Sequence, residues 1–80
     1  MALLSQLKNL KPNKCKKLLL KNNWISINRE GTHETFIKEI NGTIHTTQLI
    51  WNNKTCYPKN AKNMIGKTDI PVKEWIKNCK

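Results

Sequence analysis

Asn41-Gly42 stands between two β-branched runs, Thr35 to Ile40 and Thr43 to about Ile50. Both residues tolerate the left-handed backbone of a two-residue hairpin turn, so the pair specifies a hairpin and its register together. Side chains alternate along a strand. Pairing Ile40 with Thr43 therefore puts Phe36, Lys38, Ile40, Thr43, His45 and Thr47 on one face, and Thr35, Ile37, Glu39, Ile44 and Thr46 on the other. A further alternating, β-branched run from Trp24 to Arg29 reads as a preceding strand, with Gly31 available for the reversal between them.

Helical periodicity flanks this sheet. After Pro12, residues 13–22 carry Cys15, Leu18 and Leu19 on one stripe, and Asn22-Asn23 can adopt the left-handed cap that ends a helix. From Asn60, the positions of Ala61, Met64 and Ile65 predict a short helix that Gly66 weakens or ends. Pro71 opens another, with Val72, Trp75, Ile76 and Cys79 spaced i, i+3, i+4, i+7. The expected fold is α+β, a three-stranded antiparallel sheet with helices packed on one face in the order α-β-β-β-α-α. Eighty residues suffice for one small domain, placed at 12–80. Residues 1–11 have Leu3, Leu7 and Leu10 at helical spacing but are too few to hold a helix alone. They are expected as an N-terminal arm or a short docked helix.

Fifteen Lys or Arg against five Asp or Glu give a net charge of +10, above the magnitude of about 2 to 8 that serves solubility in a small domain. The charge is divided. Seven cations against Glu30 lie in residues 1–30, seven against Asp69 and Glu74 lie in 54–80, and the middle has Lys38 against Glu34 and Glu39. If both flanks fold onto the same central element, their lysines form one field for a polyanion, most commonly a nucleic acid. Arg29 is the one arginine, so phosphate contact is favoured over bidentate reading of bases.

Apolar runs such as Leu18-Leu19-Leu20 are far too short for a membrane span within the sequence, and no signal peptide is read at Met1 to Leu4. Cys15, Cys56 and Cys79 are odd in number and form no C-x-x-C pair, which argues against a disulfide framework and a zinc site and for reduced thiols in the cytoplasm. No metal and no small-molecule cofactor are expected. Cys15, Cys79, Trp24 and Trp75 fall on apolar patterns and are assigned to the core, whereas Cys56 sits in a polar stretch and is expected to be exposed. His45 shares a face with Phe36 and Ile40 and is expected to be partly buried. Trp51 is the aromatic least constrained by pattern, and so the one free to stack on a base.

Catalysis near neutral pH has His33 and His45 to draw on, and their opposite parity in the hairpin separates them. Lys17-Leu18-Leu19-Leu20-Lys21-Asn22-Asn23-Trp24, then Gly31-Thr32-His33 with Phe36 three residues on, then Lys59 to Trp75, together resemble the HicA family of toxin ribonucleases over roughly residues 13–77. That resemblance implies a fold like a double-stranded RNA-binding domain and metal-independent cleavage of mRNA. His33 would be the catalytic residue, a general base for the ribose 2′-hydroxyl, with Gly31 and Thr32 completing its motif. Glu34 stands where the family often repeats the histidine. Lys14, Lys17, Lys21, Arg29, Lys59 and Lys62 would hold phosphates, and an acidic antitoxin-like protein would be the partner. The alternative keeps the fold without the chemistry, as an RNA-binding module or a small phage-type inhibitor of a nucleic-acid machine.

Overall fold

The computed structural model of the protein describes residues 4–51 and 54–80. Leu3, part of the helical spacing near the start of the chain, lies outside them. A single 3-10 turn at Leu4–Leu7 is followed by helix α1 (Pro12–Lys21), strands β1 (Ile25–Glu30), β2 (His33–Ile40) and β3 (Thr43–Ile50), and helices α2 (Pro58–Gly66) and α3 (Val72–Cys79). The sheet is antiparallel in the order β1-β2-β3. This is the α+β architecture that the periodicities predict, in the predicted order.

Local chemistry accounts for the boundaries. Pro12 and Pro58 begin α1 and α2, where a missing N–H costs no helical hydrogen bond. Helix α1 ends at Asn23, whose φ is 71°. The Asn23 N–H donates to the Leu20 carbonyl and the Trp24 N–H to the Leu19 carbonyl, the paired bonds of a Schellman cap. Asn41 and Gly42 both have positive φ, 52° and 82°, and Ile40 pairs with Thr43, so the hairpin has the turn and register read from its sequence. The β1–β2 turn needs only Gly31 at positive φ, with Glu30 opposite His33, which is the II′ pattern.

The helices cover one face of the sheet. Phe36, Thr47 and Leu49 are buried beneath them with Trp24, Trp75, Leu18, Leu19, Met64 and Ile65. The Thr47 hydroxyl donates to the Met64 carbonyl at 2.9 Å, tying β3 to α2. The other face is open. Ile25 and Ile44 there are more than half exposed, and Ile37, paired with Ile25, is half-buried. No helix among the described residues is long and apolar enough to cross a membrane.

The segment before α1 is built into the same core. Leu7 and Leu10 are buried, the Cys56 N–H donates to the Leu10 carbonyl, and the Lys11 N–H donates to the Cys79 carbonyl, both at 2.7 Å. Leu10 thus contributes side-chain burial, and its carbonyl anchors the chain ahead of α2. Replacing it with Ala should cost about 2–5 kcal/mol, a large share of the roughly 5–15 kcal/mol that holds a small domain together. Denaturant unfolding of Leu10→Ala measures this, and a loss below about 1 kcal/mol would show that the segment contributes little.

Candidate nucleic-acid interface

Strand alternation decides where every candidate residue faces. In β2, Glu34 and Phe36 are buried toward the helices, so His33 lies on the open face, exposed, between Glu30 of β1 and Ile50 of β3. Its Nδ1 is 3.2 Å from the Thr32 hydroxyl, and Gly31 supplies the turn that brings it to the rim of the sheet.

The cations are elsewhere. Only Arg29 and Lys38 lie in strands, and both belong to rows that face the helices: Arg29 is paired with Glu34, and Lys38 binds the Asp69 carboxylate at 2.5 Å. The outward rows hold Glu30 and Glu39 with the isoleucines, and no Lys or Arg. Lys14, Lys17 and Lys21 follow one another at i, i+3 and i+7 along α1. With Leu18 and Asn78 of α3 they line a groove of about 300 Å³. The Lys14 ammonium donates to the Lys80 carbonyl at 2.8 Å, so residues from both basic flanks meet in one helical layer. Lys59 and Lys62 are exposed on α2 in the same layer. The predicted phosphate-holding lysines are thus on the covered side of the sheet, and the histidine is on the uncovered side.

Glu34 follows His33 in the chain, but strand alternation turns it to the opposite face, inward, where it is 2% exposed. One oxygen accepts from the Ser26 hydroxyl at 2.6 Å and from the Lys16 ammonium at 2.9 Å, and the other from the Trp51 indole N–H at 3.0 Å. Burial pushes its pKa up, but the three hydrogen bonds and the Lys16 charge outweigh it and hold the carboxyl below its ordinary value. The Lys38 ion pair, reinforced by the Trp24 indole N–H, likewise lowers Asp69.

Three expectations need correcting. Trp51 is not free to stack on a base: its N–H is engaged by Glu34, and the Arg29 guanidinium sits 4.8 Å from its ring centroid. Arg29 also donates to the Gly31 carbonyl at 3.3 Å. Cys56 is 5% exposed rather than open to solvent, because the backbone bond to Leu10 draws its stretch over the core. Its thiol meets that of Cys15, which also meets Cys79. These contacts and burial push the Cys15 thiol far up, so it stays protonated. His45 shares the inward face as expected, yet it is exposed. Its row extends past the helices to a depression formed with Gly66, Lys67, Thr68 and Asp69. Among the described residues, no group of three or more His, Cys, Asp or Glu side chains is arranged to hold a metal ion.

The Glu34 cluster gives a pH dependence of definite sign. A carboxyl whose pKa is lower in the folded than in the unfolded chain stabilises fully above the unfolded value and loses that contribution as pH falls through the folded one. Stability should therefore decline on acidification below about pH 4.3, the ordinary Glu value, with Asp69 adding to the decline at lower pH. Glu34→Gln should cost about 1–3 kcal/mol at neutral pH, as loss of charged hydrogen bonds does, and its curve should converge on the wild type in acid. Thermal unfolding from neutral pH down to about pH 2 measures both, and parallel curves would contradict the assignment.

No protein-family model, no curated protein and no solved structure matches the chain.

Proposed function

We propose that the protein binds nucleic acid through its helical layer, taking backbone phosphates on the α1 groove of Lys14, Lys17 and Lys21 and on Lys59 and Lys62 of α2. The observation that carries this reading is the partition of charge: the open sheet face has no Lys or Arg, while the helical layer gathers cations from both ends of the chain. Lysine without arginine suits point contacts to phosphate and gives little sequence reading.

Affinity for a single-stranded oligonucleotide should fall steeply with salt. Lys14→Gln, Lys17→Gln and Lys21→Gln together should weaken binding and lower the slope of log affinity against log salt by about 2, since each single-strand phosphate that is neutralised adds about 0.7 to it. Fluorescence anisotropy across salt concentrations reads both. A flat response in the wild type would remove the proposal.

One observation favours a second reading, cleavage of mRNA by the toxin of a toxin and antitoxin pair. The His33 ring is uncovered, and the Arg29 guanidinium, anchored on Gly31 and Trp51, lies at the same end of the sheet. In that reading His33 removes the 2′-hydroxyl proton, Arg29 offsets phosphate charge, and an acidic protein partner covers the site. Expression of wild type should then arrest growth and degrade RNA, and His33→Ala should abolish both. Intact RNA with the wild type, or equal cleavage by His33→Ala, would exclude it.

A further inference from the structure

Two consecutive residues, Leu10 and Lys11, hold all three cysteines. The Cys56 N–H donates to the Leu10 carbonyl at 2.7 Å, the Lys11 N–H donates to the Cys79 carbonyl at 2.7 Å, and the Cys15 N–H donates to the Lys11 carbonyl at 2.9 Å. Side chains from the first turn of α1, the approach to α2 and the end of α3 are thereby drawn into one small volume. All three are free thiols, Cys15 and Cys79 fully buried and Cys56 5% exposed. Cys15 is the centre of the group, since its thiol hydrogen-bonds with that of Cys56 and with that of Cys79. A disulfide joins sulfurs about 2.05 Å apart and tolerates little backbone movement, so thiols already in contact are the pairs that a fold can bridge.

The one Cys15 proton serves one neighbour at a time, so the three thiols are not equivalent. Hydrogen bonds from Cys15 hold Cys56 and Cys79 below the ordinary thiol value against the effect of burial, the Lys14 charge adding to this at Cys79, while Cys15 itself is pushed far up. The sulfur that meets an oxidant as thiolate is therefore a neighbour of Cys15. Of the two neighbours Cys56 is the accessible one. It lies outside helix and strand and has the only exposure in the cluster.

We infer that the three cysteines form an oxidant-sensitive site, in which a hydroperoxide oxidises Cys56 and Cys15 closes a disulfide with it, Cys79 being the exchange partner. In the first step the Cys56 sulfur takes one oxygen from the hydroperoxide, giving a sulfenic acid and, from hydrogen peroxide, water. In the second the Cys15 sulfur displaces that hydroxyl, which leaves with the Cys15 proton as water. Attack of the Cys79 sulfur on Cys15 then moves the bond to Cys15–Cys79, and the Cys79 proton passes to Cys56. Two thiols are oxidised, the hydroperoxide is reduced, and one thiol always remains. The inference does not depend on the nucleic-acid reading.

The test treats the reduced full chain, dilute enough to prevent cross-linking between molecules, with hydrogen peroxide, then alkylates the remaining thiols and maps peptides without reduction. The wild type should fall from three alkylatable thiols to one, with links from Cys15 to Cys56 or Cys79, and dithiothreitol should restore all three. Cys79→Ser should still form the Cys15–Cys56 link. Cys56→Ser should react severalfold more slowly, and Cys15→Ala should form no link and accumulate sulfinic acid on Cys56. The oxidised wild type should melt about 10 °C or more above the reduced chain, as a bridge that fits the native core does. Three thiols surviving in the wild type, a Cys56–Cys79 link, or equal cross-linking of Cys15→Ala would overturn the site. A lower melting temperature on oxidation would do so too, since the link would then form only in opened chains. Should Cys15→Ala not fold, the wild-type link map and its melting shift decide alone.

Discussion

Strand β2 is held in register from both ends, by Gly31-Thr32 before it and Asn41-Gly42 after it. Two-residue turns leave no slack for the strands to slide, and a slip of one residue would exchange every inward side chain for an outward one. With the register locked, Phe36 enters the core, Glu34 meets its three donors, and His33 stays in solvent. The division of the molecule into a cationic helical side and an acidic, isoleucine-bearing sheet side follows from this alternation.

Glu34 shows how such a frame accommodates a charge. A buried carboxylate is costly unless its lone pairs are filled, and Ser26 from β1, Trp51 beyond β3 and Lys16 from α1 fill them. The carboxylate thereby joins both outer parts of the sheet to the first helix. It also orients Trp51, which in turn carries Arg29 on its face. An anion that reads as part of a catalytic motif in the sequence is, in the folded chain, the polar centre of the sheet's packing.

The far side of the core is held by different means. Cys15, Cys56 and Cys79 come from α1, the approach to α2 and the end of α3, and they pack as small apolar groups in mutual contact. Backbone bonds from Cys56 to Leu10 and from Lys11 to Cys79 run alongside them. The lysines of α1 meanwhile gather against α3.

The elements and most of their faces were legible in the order of the amino acids: the Asn41-Gly42 turn and its register, the apolar stripe of α1 and its Asn23 cap, and the clean face of α3. Each of these signals is carried by residues a few positions apart, where backbone preference and periodicity act directly. Phe36 and Ile40 marked the covered face of the sheet, but how the helices would lie across it was not legible. Long-range packing of Trp24, Trp75 and Met64 against Phe36, Thr47 and Leu49 settled it, through contacts between residues far apart in the chain. That packing buried Glu34 and Cys56 and parted His33 from the lysines.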